Sequence, residues 1–208
     1  MRKYYELPPY LRKAFEFPYQ AGARFVEALC ARGGWALVDE AHRSPPATSA
    51  EIIYPELFLD EDSEPVDAPP LGAPGRDWDD GYEISFGAAD LLLMFELPGG
   101  SEQRALDDPR EKAAGWAAGS LVLWSRGEDN AIGIALSERE DGQLCPAIAA
   151  WYFASFPNSQ TVEQEDGVDK GYFFQTDEQV GMISCGEAEV TVAIAPDEQT
   201  ARSILAAS

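Results

Sequence analysis

The chain of 208 residues sets 15 Lys and Arg against 37 Asp and Glu, a net charge of −22, with 45% hydrophobic and 11% aromatic residues. That apolar content suits one packed domain or two small ones and excludes a disordered chain. The acidity repels phosphate backbones and anionic lipid, so neither nucleic acid nor a membrane surface is expected as a partner.

In chain order, the first 50 residues hold seven Lys/Arg and five Asp/Glu, a net of +2, so the negative charge is concentrated in residues 51–208. The opening residues lack the apolar run of a signal peptide, and no run reaches the roughly 20 residues of a membrane span. After Pro8-Pro9, Leu11 to Phe17 predicts a short helix. Pro18, tolerated in a first helical turn, predicts the start of a second helix running to Cys30. Within it Tyr19, Gly22, Val26 and Leu29 recur at the three-and-four spacing of one buried face. Gly33-Gly34 ends it, because glycine accepts the left-handed conformation without steric cost. Trp35 to Ala41 predicts a third short helix, and Thr48-Ser49-Ala50-Glu51 is a capping-box pattern that opens one more turn before Pro55.

Residues 60–80 are rich in acid, Pro and Gly and carry no periodicity, which predicts a linker or long exposed loop. Asp60, Asp62 and Glu64 alternate like calcium ligands, but no central Gly follows and prolines interrupt, so solvated acids are the better reading. Beyond it, Phe86 to Phe95 predicts a buried helix. Ser120–Ser125 and Ala131–Leu136 predict two strands around the turn residues Arg126 to Asn130. A helix opens at Pro146. Strands are expected over 171–175, 180–184 and 188–194, and Asp197 caps a last helix. The expected architecture is α+β: a helical N-terminal segment (1–59), the acidic stretch (60–80), and an antiparallel sheet covered by helices (81–208), which can together form one compact domain.

The inventory of reactive groups is thin. One histidine, His42, excludes a His-rich metal centre and the His-Glu-x-x-His helix. Beside Glu40 or Asp39 it could serve as a general base, but a lone histidine after a short helix reads better as a surface residue. Cys30, Cys145 and Cys185 have no C-x-x-C spacing and allow at most one disulfide, the pairing open, with one thiol left over as a small apolar residue. Acids abound without a motif that frames a catalytic pair. No catalytic residue, metal ligand or cofactor is therefore assigned. Of the aromatic residues Trp116, Trp124, Trp151, Tyr152, Phe153, Tyr172, Phe173 and Phe174, most should be core. Trp116, Trp124, Trp151 and Tyr152 are the candidates for a ligand groove, which acids at its rim would suit to cationic or peptide ligands.

Several of these signals stand together in a recognisable order: Phe17-Pro18-Tyr19, Gly33-Gly34-Trp35, Pro45-Pro46, Thr48 to Glu51, and Pro55-Glu56-Leu57-Phe58. Residues 7–59 thereby resemble a segment of secreted bacterial proteins built on a zinc-metallopeptidase plan, and Ala114-Gly115-Trp116 to Trp124 resembles a later segment of the same proteins. In that family the zinc ligands and the general-base Glu lie upstream of the Phe-Pro-Tyr helix, so no catalytic residue carries over. Tyr54 replaces the family's histidine before Pro-Glu, and His42 falls at a non-ligand position. The resemblance implies a non-catalytic accessory or remnant domain, with an upstream peptidase-like domain or another protein as partner. The alternative is a free-standing ligand- or protein-binding module. It also implies an extracellular or envelope location if the chain derives from a secreted parent, and the cytoplasm if it is complete as written.

Overall fold

The computed structural model describes residues 4, 6–59, 66–139, 143–161 and 171–206. The candidate calcium ligands Asp60, Asp62 and Glu64 fall outside them. A long helix α1 (Pro9–Arg43) leads into two short ones, α2 (Ser49–Ile53) and α3 (Pro55–Phe58). Then come β1 (Tyr82–Ser85), α4 (Ala88–Glu96), two 3₁₀ turns (Pro98–Gly100 and Glu102–Arg104) and α5 (Pro109–Ala113). The hairpin β2 (Trp116–Arg126) and β3 (Asp129–Glu138) is followed by α6 (Leu144–Ser155) and β4 (Gln160–Thr161). The chain closes with β5 (Gly171–Gln175), β6 (Val180–Cys185), β7 (Glu189–Ala195) and α7 (Glu198–Leu205). The α+β architecture is as the sequence predicts.

The strands form one sheet in the order β1-β2-β3-β7-β6-β5-β4, every neighbouring pair antiparallel. Arg126 pairs with Asp129, leaving a two-residue loop whose first member, Gly127, takes φ 63°, as a tight hairpin turn requires. Side chains alternate between two buried faces. On β7, Val190, Val192 and Ile194 join one core with α2, α4 and α6, while Ala193 and Ala195 join another under α7. On β6, Ile183 and Cys185 face the first core, and Val180 and Met182 the second.

The second face is completed by an irregular segment, 66–80, rather than by another helix. Trp78 is buried beside Trp124, and the Arg126 guanidinium lies 4.6 Å over its ring. Asp79 pairs with Ser125 through its backbone N–H and its carboxylate, which accepts from the Ser125 N–H. Gly72 donates to the Ile204 carbonyl, and a Cβ there would sit 2.2 Å from the Ser203 carbonyl oxygen, so only glycine permits this approach. The described part of the acidic stretch is thus laid on the sheet rather than hanging free of it.

Local capping chemistry operates as the sequence predicts. The Thr48 hydroxyl accepts from Glu51 N–H while the Glu51 carboxylate accepts from Thr48 N–H, and Asp197 accepts from Thr200 N–H. Gly34, at φ 67° and ψ −162°, breaks α1 where the glycine pair predicts a stop. Pro18 does not start a helix. It lies inside α1, whose two flanks are each tied down: Tyr10, Lys13 and Phe17 meet α4 and the main core, and Phe25 and Leu29 form a small core with Val38. Tertiary contacts on both sides outweigh the one backbone donor that proline removes.

The predicted buried face of this helix is also corrected. Tyr19 is 81% exposed, Val26 is 38% exposed and Gly22 faces open space; of the four, Leu29 alone is fully buried. The inward face runs instead through Phe17, Ala21, Phe25 and Leu29. Periodicity marks an apolar stripe without saying whether anything covers it.

Candidate functional site

The N-terminal half of α1 crosses α4 along polar anchors. The Tyr10 hydroxyl donates to Asp90 at 2.9 Å, and Lys13 pairs with Glu96 at 2.7 Å. Asp90 sits in the first turn of α4, where its carboxylate also accepts from Gly87 N–H. Beside these anchors, α1 and α4 together with the short helices α2, α3 and α5 line a cleft of about 330 Å³. Phe17, Ala21, Ala28, Ile52, Ile53, Leu92 and Leu93 supply its apolar lining, and Lys13, Glu16, Gln20, Arg24, Glu96 and Arg110 its polar groups.

The charges in this cleft are not equally satisfied. Glu96 is neutralised by Lys13, and Glu16 accepts from the Tyr4 hydroxyl at 2.7 Å and from Gln20 at 3.3 Å. Arg110 lies 5.3 Å over the Tyr54 ring and donates to the Ile53 carbonyl, while the Tyr54 hydroxyl donates to the Arg110 carbonyl. Neither Arg24 nor Arg110 forms an ion pair among the described residues. Three cations and two carboxylates line the cleft, and a third carboxylate, Glu102, stands 4.0 Å from Lys13, so Arg24 and Arg110 are the cations left without an ion pair among the described residues.

Burial pushes the Tyr54 phenol up to about 12, against the opposing pull of the Arg110 guanidinium. Above pH 10 an unfolded Tyr54 loses its proton while the folded one keeps it, so this stability is present below pH 10 and disappears as pH rises through about 12. Urea midpoints measured from pH 8 to 12 should fall more steeply for the native chain than for Tyr54→Phe, the difference reaching on the order of 2 kcal/mol. Parallel curves would show that the phenol ionises equally in both states.

Of the four aromatic candidates, Trp116, Trp151 and Tyr152 belong to the main core and Trp124 to the core on the other face of the sheet. The Trp116 indole N–H donates to the Phe86 carbonyl at 3.1 Å. Tyr152 is fully buried and stacked on Phe174 at 4.6 Å; Trp151, half-buried, meets its neighbour edge-on at 6.3 Å. None of the four lines the α1–α4 cleft. His42 is exposed in the last turn of α1, and among the described residues no three His, Cys, Asp or Glu side chains gather as a metal site would need.

Sequence reasoning missed the cleft although a signal was present. Lys13, Glu16, Gln20 and Arg24 recur at three and four residues alongside Phe17, Ala21 and Ala28, a second helical face of mixed character. A second missed feature is the outward apolar stripe of α1: Leu11, Phe15, Tyr19 and Val26 are 41%, 61%, 81% and 38% exposed. At about 200 Å² for a large aromatic residue, Phe15 and Tyr19 alone leave on the order of 300 Å² uncovered. Comparison with protein-family models, curated proteins and solved structures finds no match for this chain.

Proposed function

We propose that the chain is a non-catalytic accessory or remnant domain of a metallopeptidase-like protein, holding its partner through the helical N-terminal segment. The observation that carries this reading is the outward stripe of α1. The largest contiguous apolar patch on a monomeric protein is often a functional one, and here the patch lies on the same segment that carries the family resemblance. The surrounding helix is the least acidic part of the molecule, so a partner meets the least charge repulsion there.

Co-expression with a His-Glu-x-x-His peptidase-like domain encoded in the same genome tests the proposal. Co-purification is expected, and Phe15→Ser with Tyr19→Ser should abolish it while leaving the thermal transition unchanged, since neither side chain is part of the core. The isolated chain should neither cleave an unfolded protein substrate nor hold stoichiometric zinc by elemental analysis. Chelator-sensitive cleavage, or co-purification indifferent to both substitutions, would refute it.

A second reading, a free-standing ligand-binding module, is favoured by the α1–α4 cleft, whose volume lies in the range of small-molecule sites.

A further inference from the structure

The α1–α4 cleft combines an aliphatic floor with two guanidinium groups that no carboxylate of the described chain satisfies. We infer that it binds a small amphiphilic carboxylate, with an apolar chain against Phe17, Ile52, Ile53 and Leu92 and its head group between Arg24 and Arg110. This builds on the ligand-binding reading and is independent of the accessory-domain one.

Three features select this chemistry over others. An apolar floor favours a hydrocarbon body, because its burial removes apolar surface of both ligand and protein from water. Guanidinium matches a carboxylate with two parallel hydrogen bonds, and Arg24 has no competing partner among the described residues. Of the two carboxylates that could attract a cationic amphiphile, Glu96 is paired with Lys13 and Glu16 already accepts from Tyr4 and Gln20, so two unpaired guanidinium groups face one carboxylate without an ion pair among the described residues. The long-range field of a chain with net charge −22 opposes any anion. Selectivity for the carboxylate must therefore arise within the cleft itself, at distances shorter than the screening length of physiological salt, about 8 Å.

The test is titration of the full chain with octanoate, octan-1-ol and octylamine, followed by calorimetry and by amide shifts of α1 and α4. Octanoate should bind at least tenfold more tightly than either analogue. Arg24→Glu, an exposed position without ion pairs, should weaken octanoate at least tenfold and improve octylamine. Ala28→Trp, which fills the cleft, should weaken all three. Equal binding of octanoate and octan-1-ol, or unchanged octanoate affinity in Arg24→Glu, would overturn the carboxylate assignment and leave an apolar site. Absence of binding by every probe to the folded chain would overturn the ligand-binding reading with it.

Discussion

Breaking the Cys145–Cys185 bridge should lower the unfolding free energy by about 4 kcal/mol. The bond joins α6 to β6 across 40 residues, with Cα atoms 5.8 Å apart. A cross-link that closes so long a loop removes many conformations from the unfolded chain, and the penalty of ordering that loop is correspondingly reduced. Cys185 is buried in the main core and Cys145 packs at its edge, so the pair also fixes the helix on the sheet. Urea unfolding with and without dithiothreitol, and of the Cys145→Ala, Cys185→Ala double variant, measures the effect. The reduced native chain and the double variant should agree to within about 1 kcal/mol, since both replace the bond by small apolar groups. Midpoints unchanged by reduction would show that the bridge adds nothing. Cys30, on α1, remains a thiol in the small core.

The second large effect is expected at Gly181. A Cβ built there would stand 2.3 Å from two ring carbons of Tyr152 and 2.5 Å from its oxygen. The ring cannot yield, because it is fully buried, stacked on Phe174 and 4.7 Å from Phe156. Gly181→Ala should therefore cost about 3 kcal/mol, the upper part of the range for overpacking a dense core. Gly22→Ala is the matched control. It faces open space within α1, so the same added methyl should stabilise by about 1 kcal/mol through helix propensity alone. Thermal unfolding of both variants checks the pair of signs. A Gly181→Ala chain as stable as the native one would mean that Tyr152 has room to move.

What the sequence made legible was its local chemistry. The caps at Thr48 and Asp197 and the stop at Gly34 each depend on residues within one turn. The strands around Leu123, Ile134, Met182 and Val192 announce themselves by β-branched and apolar content. Strand β1 alternates Tyr82 and Ile84 with Glu83 and Ser85, but the run is only four residues long and all four lie exposed at the sheet edge, so little set it apart from a loop. Facts that depend on distant partners were beyond reach. Which two of three cysteines meet is decided by the docking of α6 on β6. Tyr19, Gly22 and Val26 share an apolar spacing with Leu29, but α3 and Val38 shelter only the end of the helix that carries Leu29. Trp78 looked like part of an acidic spacer until Trp124 and Arg126 gathered it in. The cleft arises in the same way, since Arg110 reaches it from a different part of the chain than Lys13 and Arg24.

The placement of β7 between β3 and β6 has a consequence for assembly. Strands β3 and β6 are joined only through residues 189–195, so until that segment is in place each keeps an unpaired edge. Such edges invite pairing with other chains, and closing them last demands contacts between residues far apart in sequence, which slows folding. The net charge of −22 sets copies of the chain against one another by mutual repulsion, which opposes such pairing.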